Sequence, residues 1–233
     1  MTSILFFGFL IGLRHALEAD HLAAVASLAT GRRSLGSTVL RGAVWGVGHT
    51  LTLLLVGGIC LLLGVRVPEH LERMFEGAVG VMLVALGVEV LWRLRRQRVH
   101  IHVHRHKDGV SHVHAHRHEV GEVHDPEDHE HPHPEGFPHR ALAIGLVHGL
   151  AGSAGLLLLA VGTVGTPWLG IWYIVLFGVG SVAGMAVLSA VIAAPFRFSH
   201  RRLAGLANGL EGALGLATIA LGLWVLAAQI GGW

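Results

Sequence analysis

The chain has 233 residues, of which 52% are apolar and 14% charged, where a soluble domain carries about 25% charged residues. A single cysteine (Cys60) excludes a disulfide framework and thiolate-built zinc, iron–sulfur, redox or copper(I) sites, and a formal charge of +2 gives no reason to expect a nucleic-acid partner. The 33 glycines suit transmembrane helices, and mean hydropathy is positive despite a long polar stretch, so the composition is that of an all-α polytopic membrane protein.

Six stretches are apolar over the roughly 17–25 residues that a bilayer crossing needs. They lie near residues 3–29, 38–64, 71–94, 139–163, 168–195 and 204–230. The first opens like a signal peptide, but it has no basic leader and its apolar run resumes after Asp20, so it is expected to be a mature helix. Arginine sets the orientation. Arg32, Arg33 and Arg41 link helices one and two; Arg93, Arg95, Arg96 and Arg98 follow helix three; Arg197, Arg201 and Arg202 link five and six. The opposite side has only Arg66 and Arg73, offset by Glu69 and Glu72. The positive-inside rule then places both termini outside and the long loop in the cytoplasm.

The chain repeats itself. Ile11-Gly-Leu-Arg-His15 recurs as Ile144-Gly-Leu-Val-His148, Trp45-Gly-Val-Gly48 as Phe177-Gly-Val-Gly180, and Glu76 to Leu91 aligns without a gap on Glu211 to Leu226 with nine of sixteen residues identical. Three matches in order at nearly constant offset imply two three-helix repeats, residues 1–98 and 139–233. An odd number of helices inverts the second copy, as in many secondary transporters with a midplane site.

Between the repeats, residues 99–138 form a His-rich cytoplasmic loop. Thirteen of the 19 histidines fall between 99 and 139, and the runs His100, His102, His104, His106 and His112, His114, His116, His118 are candidate loop metal ligands. Carboxylates and prolines follow from Asp125 to Glu135. Few large apolar residues are present to offset the ordering entropy, so the loop is expected to lack order without metal.

The polar centre of the first span, His15-Ala-Leu-Glu-Ala-Asp-His21, carries the chemistry. Each charged group at a helix centre costs about 2.5–3.5 kcal/mol by insertion data, so these groups must face one another, water or an ion. Arg14 alone cannot balance two carboxylates. On a regular helix His15, Glu18 and His21 share a face of roughly 120°, whereas Asp20 points away. Either the helix breaks here or Asp20 orients an imidazole from behind; a local break is expected. His49, near the middle of the second span, joins the candidate set His15, Asp20, His21 and His49. Glu18 and His148 are further metal or gate candidates. His148 is the repeat counterpart of His15, but Ala151, Ser153 and Ala154 stand where the first copy has Glu18, Asp20 and His21. Imidazoles and carboxylates without thiolates suit borderline divalent ions such as nickel, cobalt or zinc.

The His-x4-Asp-His pattern of His15, Asp20 and His21, with Val47-Gly-His-Thr50 as a second motif, resembles the nickel/cobalt transporter family. The resemblance covers the membrane part at motif level. It implies that His15, Asp20, His21 and His49 select and carry Ni2+ or Co2+ across a bacterial cytoplasmic membrane, with no other cofactor. Six spans and a His-rich loop look more like its short efflux or urease-accessory-like members, so the ion class is better defined than the direction. Alternatives are a Zn2+ transporter, a membrane-anchored metal buffer or sensor in which the loop is the working part, and a membrane enzyme. The last is disfavoured: the sequence has no nucleophile elbow and no Walker motif, and a haem would have only His49 and His148 as a central pair. The expected partners are therefore divalent transition-metal ions and the lipid bilayer, with oligomeric state left open.

Overall fold

A computed structural model describes residues 2–29, 34–96, 99–105, 111–117, 138–151, 166–198 and 204–231. The apolar runs become helices: α1 (Thr2–His15), α2 (Ala19–Ala29), α3 (Leu35–Leu63), α4 (Glu69–Arg96), α5 (His139–Ala151), α6 (Pro167–Phe198) and α7 (Ala204–Gly231). Local chemistry sets their ends. Ser34 caps α3, its hydroxyl accepting from the Ser37 amide, and Gly64 closes it at φ 64°, a left-handed conformation that costs glycine nothing. α4 opens on Glu69 and Glu72 and closes on Arg93, Arg95 and Arg96, the charge order that complements a helix dipole.

Among the described residues, four helices are long and apolar enough to cross a membrane: α3, α4, α6 over Pro167–Ala194 and α7 over Asn208–Gln229. The first predicted span is instead two shorter helices. The α ladder stops at His15; the Leu17 and Glu18 amides reach back three residues to Arg14 and His15, and the Glu18 carbonyl then accepts from Leu22 to start α2. The fourth predicted span begins as α5, and its continuation, residues 152–165, lies outside the described residues.

Val99–Arg105 and Ser111–Arg117 form two antiparallel strands, β1 and β2, pairing His100 with His116, His102 with His114 and His104 with His112. The period-two alternation of histidine with isoleucine and valine favours a strand. His106 and His118 lie outside the described residues, as does the acidic run from Asp125 to Glu135.

Helix packing is built on backbone contact. α1 lies on α6, α5 lies on α3, α3 crosses α6, and α4 crosses α7. A Cβ at Gly12 would meet the Phe177 carbonyl, and one at Gly145 would meet the Trp45 carbonyl. Gly180 fits likewise against Phe9 and Leu13, and Gly48 against Leu142 and Leu146. In α4 and α7, Gly80 abuts the Gly222 carbonyl and Gly87 the Gly215 carbonyl. Small residues let helices approach in this way where lipid offers no hydrophobic drive. Trp45, Phe177, Leu83 and Met185 are fully buried between the helices, while Leu63 and Trp168 are each 69% exposed; together with Phe6, Phe7, Leu55 and Trp224 they form an outer surface suited to lipid rather than water.

Gly145→Ala should therefore overpack the α3–α5 contact and cost about 1–3 kcal/mol, seen as a lower melting temperature in detergent. Gly77, which has nothing within 4 Å of an added Cβ, should tolerate alanine with unchanged or raised stability.

Candidate metal centre

The helix break creates the site. In a continuous helix six residues separate His15 from His21 by about 9 Å of rise. With the chain turning at residues 16–18, their ring centroids are 4.3 Å apart. His49 enters from α3, its ring 5.3 Å from His15 and 5.2 Å from His21. His148 enters from α5, 4.2 Å from His21 and 5.8 Å from His49. Four imidazoles thus cluster inside an apolar bundle, and His21, His49 and His148 are at most 1% exposed. Trp45 and Phe177 wall the cluster: Trp45 packs on His21 and His148, and Phe177 on His15.

The two carboxylates of the motif play different parts. Glu18 is largely exposed and bonds His15 Nδ1 at 3.0 Å. Asp20 bridges two imidazoles, with Oδ1 2.9 Å from His21 Nδ1 and Oδ2 2.9 Å from His148 Nε2. It also accepts from the His21 amide at 2.8 Å, which fixes the first turn of α2. The nitrogens left over are buried and without hydrogen-bond partners: His15 Nε2, His21 Nε2, both nitrogens of His49, and His148 Nδ1. Unsatisfied polar atoms of this kind are rare in folded proteins, and an ion is one account of them.

Among the described residues, metal-ligand atoms come together in two groups, each within 4.8 Å: His15, His21 and His49, and Asp20, His21 and His148. The expected set of His15, Asp20, His21 and His49 is therefore not one group. Asp20 instead contacts His21 and His148, and holds His21 from behind. That buttressing orients the ring and fixes its tautomer, a common arrangement around metal-bound histidine.

Residues outside the motifs complete the surroundings. Thr52 donates to the Leu146 carbonyl and Thr50 to that of Gly178, tying α3 to α5 and α6 beside His49. Glu89, which the sequence pairs with Arg93 one turn on, forms its close ion pair with Arg140 at the start of α5, with Arg93 at 3.9 Å. Arg93 also donates to the Ser27 carbonyl of α2. Glu76 accepts from Gln229, joining α4 to α7. Sequence reasoning did not identify Arg140, Trp45 or Phe177 as part of these surroundings. The two aromatics stand at equivalent positions of the repeated Gly-Val-Gly segment, which was the available signal.

No family model matches the sequence, and no solved structure matches it. Among known proteins it is similar to the urease accessory protein UreH of Bacillus sp. (strain TB-90), with 35% identity over 204 residues that span 87% of this chain and 82% of the relative. It is also similar to two Arabidopsis thaliana chloroplast proteins, FOR GROWTH AND FERTILITY 2 and 1, at 25% and 27% identity over 228 residues. Those alignments take in 97% of this chain but only 56% and 59% of the plant proteins. The relative with the higher identity is an accessory protein. Its identity and coverage place the present sequence in the same group: the chain belongs to the family of the urease accessory protein UreH.

Proposed function

We propose that this protein is a secondary transporter that moves Ni2+ or Co2+ across a bacterial cytoplasmic membrane. Its cargo would bind His15, His21 and His49 in the middle of the bundle, and the His-rich loop would collect or buffer metal on the cytoplasmic side. The observation that carries this reading is the cluster of buried imidazoles with unpartnered nitrogens among helices of membrane-crossing length. Neutral imidazole nitrogens, with no thiolate among the described residues near them, match borderline divalent ions. Membership of the family of a urease accessory protein agrees with nickel as a cargo, and the resemblance of the His15, Asp20, His21 and His49 motifs to nickel/cobalt transporters points to the same ion class.

Two further features support a transporter over an anchored buffer. The close helix contacts exchange under the sequence repeat: Gly12 on Phe177 becomes Gly145 on Trp45, and Gly180 on Phe9 becomes Gly48 on Leu142. That is the pattern expected of two inverted halves of three spans each, with the first span broken at the site. Broken helices at a midplane site are a recurring feature of such carriers. Rocking of one half against the other would expose the cluster alternately to the two sides. Imidazoles bind metal only when a nitrogen is free of its proton, so protonation would favour release and could drive exchange against a proton gradient.

Nickel and cobalt in cells expressing the wild type, His49→Ala or Asp20→Asn, measured by elemental mass spectrometry at matched expression, tests the reading. The wild type should change the content of one of these metals, upward for uptake or downward for efflux. His49→Ala should abolish the change, and Asp20→Asn should weaken metal affinity by about 10–100-fold, the usual effect of removing the partner that orients a metal-bound histidine. Equal metal contents in all three strains would overturn it.

Replacing the loop histidines by asparagine should lower capacity or affinity yet leave residual flux; complete loss of function would instead indicate an anchored buffer. In proteoliposomes loaded with Ni2+, an imposed pH gradient should change the rate of flux, and indifference to the gradient would remove proton coupling while leaving transport intact.

A further inference from the structure

The two candidate ligand groups share one residue, His21, and draw their outer members from different halves of the chain. In the first group His15 comes from α1 and His49 from α3; in the second, His148 comes from α5. His15 and His148 occupy equivalent places in the sequence repeat, and their rings flank His21 at nearly equal distances, 4.3 and 4.2 Å. His21 addresses the two sides with different atoms. Its Nδ1 lies 2.9 Å from Asp20, which in turn reaches His148. Its Nε2 is buried without a partner, as is Nε2 of His15.

From this geometry we infer that Asp20, His21 and His148 form a second ion station, and that a divalent cation crosses the bundle by passing between it and the His15–His21–His49 station through His21. One ion cannot occupy both. The two nitrogens of an imidazole point outward from opposite sides of the ring, and ligand distances near 2.0–2.1 Å leave no room for a shared position. The stations also differ in charge. The first offers three neutral nitrogens, and the second adds the Asp20 carboxylate, whose oxygens are held by His21 and His148 when no ion is present. A cation arriving there would find one ligand atom from each of the three residues already within 4.8 Å of the others. The half-to-half link between Asp20 and His148 would then be made or replaced in each cycle, coupling ion position to the relative position of α2 and α5. The inference rests on the transport reading above but makes separate claims about binding.

The test uses full-length protein with the loop histidines replaced by asparagine, so that binding reports the bundle alone, and Ni2+ as the probe. Equilibrium binding, nickel X-ray absorption and proteoliposome flux are measured for this background and for His15→Ala, His148→Gln and the double variant. Glutamine at 148 keeps a donor for Asp20 while removing the imidazole ligand. Each single variant should retain one bound nickel with its own ligand signature, oxygen-containing in His15→Ala and nitrogen-dominated in His148→Gln. Each should lose flux by at least about tenfold, the scale on which metal-site partners act, and the double variant should bind none. Absence of binding in His15→Ala, or equal binding in His15→Ala and the double variant, would overturn the second station while background flux upheld the transport reading. Full flux in His148→Gln would also overturn it, by reducing His148 to a support for Asp20. Conversely, two distinct single-variant sites in a background without flux would uphold the stations and sink the transport reading.

Discussion

A carboxylate placed among apolar helices has to be matched by donors, because its desolvation otherwise costs several kcal/mol. Asp20 is matched by two imidazoles and by the His21 amide in the first turn of α2, and the rest of the centre follows from that. Holding His148 requires α5 to approach α2 beside α3, which is possible because Gly145 and Gly149 have no side chains to keep α5 away from Trp45 and His49. Holding His21 by Nδ1 leaves its Nε2 for the interior. The break after His15 supplies the last degree of freedom, letting a side chain six residues earlier reach the same space.

Burial of the cluster is unusually complete for polar groups. His49 has neither nitrogen bonded and no exposed surface. A histidine serving only to hold helices together would be expected to spend at least one nitrogen on a partner, since an unpaired buried donor or acceptor costs about 1–3 kcal/mol. The hydroxyls around it are engaged elsewhere: Thr50 and Thr52 donate to carbonyls of α6 and α5. Stability has been conceded at this one position, and such concessions concentrate where a protein works.

Much of this was legible in the sequence. The break at residues 16–18 follows from angular arithmetic on His15, Glu18, Asp20 and His21, and the same arithmetic left a buttressing role open for Asp20. The repeat announced which helices would resemble one another. What one strand of sequence could not reveal was choice of partner across the bundle. Asp20 selects His148, a residue whose own neighbourhood had lost every acidic group of the first copy, and Glu89 selects Arg140 over the nearer-in-sequence Arg93. Both choices depend on how closely α5 approaches, hence on glycines that sequence patterning reads only as general packing. The β1–β2 pairing has a signal of a different kind, a two-residue periodicity over seven positions, in a stretch whose composition argued for an unordered loop.

The glycine contacts have a mechanical corollary. Where α1 meets α6 and α3 meets α5, backbone touches backbone at Gly12, Gly180, Gly145 and Gly48. Interdigitated side chains behave like gear teeth and must disengage before one helix can turn on another. A smooth seam of main chain behaves like a journal bearing: it keeps two helices at fixed separation while permitting a change of angle at little energetic cost. The positions of those seams, on either side of the buried imidazoles, place the pivots of the molecule next to its most polar interior point.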